Sequence, residues 1–130
     1  MQSTTVLDEE LYFMGANLYS YNPAADRWTN PVDGLLLKAE TLGALSQQRQ
    51  LYRTDNRTAW SLDPREGKWT KAGRLSSGRV DRLADVDGCL WALRGGRTEL
   101  EVLEPRMKKW RKHERKLCLP LSYSSALVAL

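Results

Sequence analysis

The chain has 130 residues, of which 42% are hydrophobic and 28% charged, and a formal net charge of +4. A chain of this size can bury its own core as one domain without a disulfide framework or a structural metal. The two cysteines, Cys89 and Cys118, form no CxxC motif, no apolar stretch is long enough to span a membrane, and the first residues lack signal-peptide features, so we expect a cytoplasmic protein.

A unit of about 40 residues recurs along the chain. The segments YNPAADRW, LDPREGKW and LEPRMKKW align without a gap. A second element precedes each of them and begins at Leu11, Leu51 and Leu90. Each unit therefore predicts an apolar strand, a polar turn, an aromatic strand, a loop, an alternating strand, a proline turn and a tryptophan strand. The alignment repeats two residue types at a spacing of 41: Pro23, Pro64 and Pro105, and Trp28, Trp69 and Trp110.

The third unit shows the four strands most clearly. Its first two strands flank Asp87-Gly88, a favoured two-residue hairpin turn. The basic segment 105–117 has a helix as its alternative, but Gly67 and Asn30 occupy corresponding positions in the other units and are poor interior helix residues, so we favour a strand. The predicted strands are Arg82–Val86, Cys89–Leu93, Glu99–Leu103 and Lys109–Arg111.

Four strands in about 40 residues are typical of a β-propeller blade. The pattern resembles the kelch repeat in its aromatic strand, the double glycine Gly95-Gly96, the proline turn and the tryptophan five residues after the proline. We therefore expect an all-β fold, a partial β-propeller of three four-stranded kelch-like blades in a single segment, 1–130. The expected blades cover about 4–40, 41–80 and 81–120, with an extra C-terminal strand at 121–130.

The resemblance implies a protein-interaction module similar to the C-terminal half of a BTB-kelch protein, which recruits substrates to a cullin-based ubiquitin ligase. Closed propellers have four to eight blades, so three blades leave two sheet faces without a neighbour. The alternative is therefore a structural half-propeller that completes a ring by pairing with a second copy.

In kelch proteins, the loops between the second and third strands and those joining blades commonly form the partner-binding face. Arginines in these loops can form bidentate bonds to carboxylates or phosphates, which favours an acidic or phosphorylated peptide as partner. The candidate partner-binding residues are Asn56, Arg57, Arg74, Ser77, Arg79, Arg94, Arg97 and Arg115.

The positive charge is concentrated in the second half of the chain. Residues 1–60 carry five basic and seven acidic side chains, whereas residues 61–130 carry fifteen basic and nine acidic ones. The densest run, 106–116, is typical of a solvated surface, with nucleic-acid binding as the alternative. The only histidine, His113, has no recognisable partner group, so the sequence predicts no enzyme, no metal site and no cofactor. We expect the repeated tryptophans to pack between adjacent sheets.

Overall fold

The computed structural model of the chain describes residues 4–15, 17–30, 41–76, 80–94, 100–104 and 109–113. These residues form strands joined by turns, with one short 3-10 turn at Ser46–Gln48. No helix among them is long and apolar enough to cross a membrane. The strands are β1 (Thr4–Leu7), β2 (Glu10–Met14), β3 (Leu18–Asn22), β4 (Arg27–Thr29), β5 (Thr41–Leu45), β6 (Gln50–Asp55), β7 (Thr58–Asp63), β8 (Lys68–Arg74), β9 (Arg82–Val86), β10 (Cys89–Leu93), β11 (Leu100–Glu104) and β12 (Lys109–His113).

The strands form three antiparallel sheets of four strands each. Sheet 1 contains β1 to β4, sheet 2 contains β5 to β8 and sheet 3 contains β9 to β12, and in each sheet the strands follow one another in chain order. The first strands lie together, because β5 contacts both β1 and β9. This arrangement is the all-β partial propeller that the repeat predicts.

Local side-chain bonds explain why the proline turns recur. Asn22 accepts bonds from the backbone N–H groups of Ala24 and Ala25 through its side-chain oxygen, and Asp63 accepts one from Arg65 in the same way. Such Asx turns stabilise a tight reversal of the chain. Both of these turns have a left-handed residue at the same place, where Asp26 has a φ of 48° and Gly67 a φ of 70°.

Sheet 2 packs through both of its faces, against sheet 1 on one side and sheet 3 on the other. We call the face that carries the repeated tryptophan the leading face, and the opposite one the trailing face. Leu7, Tyr12 and Leu18 on the trailing face of sheet 1 form one buried cluster with Leu42, Leu51 and Leu62 on the leading face of sheet 2. The sheets therefore cover one another face to face, as blades do.

A second cluster joins sheets 2 and 3. Tyr52 and Ala72 from sheet 2 are buried there with Leu83 and Trp110 from sheet 3. The indole Nε1 of Trp110 donates to the carbonyl oxygen of Ala72 at 3.1 Å. Gly43 permits a close approach of the two sheets, because a Cβ at this position would lie 2.6 Å from the Cβ of Leu83.

Two strand predictions in the third unit are refined. The segment Lys109–His113 is a strand paired with β11, which excludes a helix over these residues and extends the predicted strand by two. The strand β11 begins at Leu100, and Glu99 lies outside the described residues. The expected extra strand at 121–130 also lies outside them.

The prediction that all three repeated tryptophans pack between sheets is wrong for Trp28. Trp110 is 8% exposed and Trp69 packs against the cluster between sheets 1 and 2, but Trp28 is 61% exposed. The reason is its place in the fold: the leading face of sheet 1 has no preceding sheet among the described residues to cover it.

Candidate partner-binding site

The antiparallel strand order sorts the connections onto two ends of the sheets. The turn at 56–57 and the described residues 75–76 and 80–81 between β8 and β9 lie at what we call the loop end, where the backbone N–H of Leu75 donates to the carbonyl oxygen of Arg57 at 2.7 Å. The turns at 8–9, 46–49 and 64–67 lie at the turn end. The candidate residues in the described part of the chain all belong to the loop end.

Three candidates lie close together there. Asn56 has a left-handed backbone with φ of 57°, which reverses the chain between β6 and β7, and Asn56, Arg57 and Arg74 are all exposed. Arg74 pairs with Thr58, the residue that follows Arg57. The guanidinium of Arg57 donates through Nη2 to the carbonyl oxygen of Ser76 at 2.9 Å. Two exposed arginines therefore lie at one junction, and one of them is bonded to the connection.

Arg94 has a different environment from the other candidates. Its side chain is 6% exposed, and its Nη2 lies 2.8 Å from Oε1 of Glu101, whose side chain is 3% exposed. Glu101 also accepts bonds from Ser76, at 2.8 Å from the hydroxyl and 3.0 Å from the backbone N–H. Arg94 thus neutralises a buried carboxylate that ties sheet 3 to the connection after β8.

Glu101 is not among the site residues predicted from the sequence. The available signal was an acidic residue within the apolar alternation of Leu100, Val102 and Leu103, at a position whose equivalents are Tyr19 and Trp60. The remaining candidates, Ser77, Arg79, Arg97 and Arg115, lie outside the described residues.

A cleft of about 290 Å³ lies at the turn end between sheets 1 and 2. Burial, reinforced by the neighbouring Glu10 carboxylate, raises the pKa of Tyr12 to about 12, so this phenol stays protonated at neutral pH. Hydrogen bonds from Arg65 hold the pKa of Asp63 below its ordinary value. The cleft therefore carries charges of both signs and does not select an anion.

Arg53 lies between two indole rings on the leading face of sheet 2. Its guanidinium carbon is 5.1 Å from the ring centre of Trp60 and 4.9 Å from that of Trp69, distances at which a cation is attracted to an aromatic face. Burial lowers the pKa of Arg53, and the nearby Asp55 carboxylate opposes this change. The stack belongs to the contact between sheets rather than to the loop end.

Comparisons with known proteins identify the fold. No family model and no curated protein matches the chain. A structure of an S. cerevisiae Dbp5 variant bound to Nup159, a Gle1 variant, IP6 and ADP matches with a TM-score of 0.65 at 13% identity, over 87% of this chain and 33% of that one. YCF48 bound to a D1 peptide matches with a TM-score of 0.60 at 13% identity, over 95% of this chain and 41% of that one.

A third match is the extracellular domain of BT4673 from B. thetaiotaomicron, with a TM-score of 0.59 at 15% identity, over 86% of this chain and 17% of that one. The neighbours are propeller-like β folds, in agreement with the three stacked sheets. This chain spans less than half the length of each of the three matched chains. At these identities the likeness shows the fold alone.

Proposed function

We propose that the chain is a protein-interaction module whose loop end binds an acidic or phosphorylated peptide. The observation that carries the proposal is the exposed pair Arg57 and Arg74, whose backbones lie close together where sheet 2 leads into the connection to sheet 3. Charge-assisted bonds from guanidinium groups to carboxylates or phosphates are among the strongest polar contacts that a surface offers.

The backbone that carries the two arginines is fixed by hydrogen bonds, which favours binding. The bonds from Leu75 to Arg57 and from Arg57 to Ser76 fix the turn against the connection, and Glu101 fixes Ser76 from sheet 3. A preorganised backbone lowers the entropy lost when a partner binds. A precedent for peptide binding by a propeller-like fold is the structure of YCF48 with its D1 peptide.

The finer proposal is a kelch-type adaptor that recognises substrates for a cullin-based ubiquitin ligase in the cytoplasm. Its support is the repeat of the proline turn and the tryptophan at a spacing of 41 residues. In such an adaptor this chain would bind the substrate, and another part would make the contact with the cullin. The check is to capture proteins from cells with the chain and to measure their ubiquitination with and without inhibition of cullin ligases. The captured proteins should be cullin-dependent substrates and should be lost when the charges of Arg57 and Arg74 are reversed, whereas captured proteins whose ubiquitination does not depend on a cullin would contradict the adaptor role.

Titration with a polyglutamate peptide and a phosphorylated peptide tests the binding proposal. We expect the variant Arg57→Glu, Arg74→Glu to bind about tenfold more weakly or worse, because it replaces two donors by repelling charges. The control is Lys68→Glu, a single charge reversal at the exposed opposite end of β8 that is compared with Arg74→Glu alone and should leave binding unchanged. Equal weakening by both variants would refute the site.

A random oligonucleotide provides the competing outcome. Nucleic-acid binding depends steeply on salt concentration, because each neutralised phosphate releases counterions. An oligonucleotide that binds more tightly than either peptide, with affinity that falls steeply as salt rises, would replace the peptide proposal.

A further inference from the structure

One sheet face in the described part of the chain is apolar and open. Val6 is 61% exposed, Leu11 37% and Trp28 61%, and these are the large hydrophobic residues that lie exposed among the described ones. The strand registers place all three on the leading face of sheet 1. We call this surface the aromatic face; it consists of Thr4, Val6, Leu11, Phe13, Tyr19, Tyr21 and Trp28.

The aromatic face is ordered before anything binds to it. Phe13 stacks on Tyr19 with ring centres 5.4 Å apart and meets Trp28 edge to face at 5.6 Å. Tyr21 lies 4.7 Å from Trp28, and its hydroxyl donates to Asp26 at 2.7 Å. Rings held in this way lose little side-chain entropy when a second surface covers them.

The corresponding faces of the other two sheets are covered. Trp69 packs against the cluster that includes Leu7 and Tyr12 of sheet 1, and Trp110 bonds to Ala72 of sheet 2. Leading faces in this chain are therefore packing surfaces. The aromatic face has the same position in its sheet, and its aromatic content is typical of the core of a protein interface, with the Asp26 carboxylate beside the hydroxyl of Tyr21.

The opposite end of the stack does not offer a matching open surface. On the trailing face of sheet 3, Ala84 is 3% exposed, Trp91 8% and Leu100 7%. That face also carries the exposed Arg111. A second copy could not cover the aromatic face with the trailing face of its sheet 3, because Ala84, Trp91 and Leu100 on that face are already buried. The open surface that a second copy does provide is its own aromatic face.

We propose that two copies of this chain pair through their aromatic faces in a two-fold symmetric dimer. The seven residues on each side are uncharged, and the one carboxylate beside them, Asp26, accepts a hydrogen bond from Tyr21, so the seven residues themselves meet without repulsion between like charges. A two-fold axis is the commonest symmetry of soluble oligomers, and it closes the assembly after two chains. Pairing of this kind places two arcs back to back and does not close one ring.

The mass of the full chain, measured by sedimentation over a wide range of concentrations, tests the proposal. We expect a dimer of the unaltered chain, with a dissociation constant that rises about thirtyfold or more in Trp28→Glu or Leu11→Glu. The matched control is Arg27→Glu, an exposed neighbour of Trp28 on the other face of β4, which should leave the dimer intact. Far-UV circular dichroism and thermal melting establish that each variant is folded.

A second variant separates face-to-face pairing from ring closure. Arg111→Glu changes the trailing face of sheet 3 and should leave the mass unchanged. A monomer at every concentration overturns the proposal, and so does a dimer that Trp28→Glu and Leu11→Glu leave intact. Dissociation by Arg111→Glu to the same degree as by Trp28→Glu would indicate head-to-tail association and overturn it as well.

Discussion

Replacing Gly43 with alanine probes the close packing of sheets 2 and 3. The added Cβ would lie 2.6 Å from the Cβ of Leu83, whereas carbon atoms in van der Waals contact are about 3.5 to 4.0 Å apart. Both atoms are attached directly to the backbone, so no side-chain rotation relieves the contact. The two sheets must separate by about 1 Å at this point.

Overpacking of this kind lowers the free energy of unfolding by about 1 to 3 kcal/mol. Alanine also restricts the unfolded chain more than glycine does, which raises the free energy of unfolding by about 0.4 to 1 kcal/mol. We therefore expect Gly43→Ala to lower the free energy of unfolding by about 1 to 2 kcal/mol, as measured by urea denaturation. The control is Gly15→Ala, whose added Cβ would make an ordinary contact of 3.5 Å with the ring of Tyr19. It should leave the free energy of unfolding unchanged or raise it by up to about 1 kcal/mol, because nothing offsets the smaller entropy of the unfolded alanine variant.

Substitutions at Leu83 identify the atoms responsible. Leu83→Ala keeps the Cβ, so Gly43→Ala should remain costly in that background. Leu83→Gly removes the Cβ, and the cost of Gly43→Ala should then largely disappear in a double-mutant cycle. If Gly43→Ala proves as stable as the unaltered chain, the two sheets are not packed at the distance described, and the argument for stacked blades fails at this junction.

Two further predictions concern buried polar groups. Arg94→Met leaves the Glu101 carboxylate buried without its cation and should lower the free energy of unfolding by about 3 to 5 kcal/mol. Adding Glu101→Leu should recover part of this loss, because it removes the unpaired charge. A loss below about 1 kcal/mol in Arg94→Met would contradict the buried ion pair. The pKa of Tyr12 is raised from 10.0 to about 12 in the folded chain. The resulting contribution to the free energy of unfolding is complete below about pH 10, the unfolded value, and is lost as the pH rises through the folded value. Tyr12→Phe should therefore lose less stability than the unaltered chain between about pH 9 and pH 12 in urea titrations, and parallel losses would contradict this assignment.

The strands and turns were predictable because their causes are local. The Asx bonds of Asn22 and Asp63 lie within each turn, and Asp87-Gly88 adopts the two positive φ angles, 53° and 80°, that its hairpin requires. The period of the repeat then predicted the stacking, because sheets with apolar faces must cover one another. These features needed no knowledge of distant contacts.

The environments of single side chains were less accessible. Trp28 and Trp110 occupy the same place in the repeat, yet their exposure differs because a preceding sheet covers only Trp110. In the sequence, Arg94 directly follows a strand and resembles an exposed arginine of a loop. Its burial depends on the pairing of Leu93 with Leu100, which brings the side chain of Arg94 to Glu101. Periodicity predicts which face a residue occupies, but not what lies opposite that face.

The Glu101 carboxylate restricts how many residues the connection after β8 can hold. Connections between blades usually accept inserted residues, because they lie outside the sheets. Here Ser76 is bonded to Glu101 through both its hydroxyl and its backbone N–H, while its carbonyl receives Arg57. An insertion directly after Arg74 would pull Ser76 away from all three contacts, so this connection tolerates a change of length less well than an ordinary surface loop.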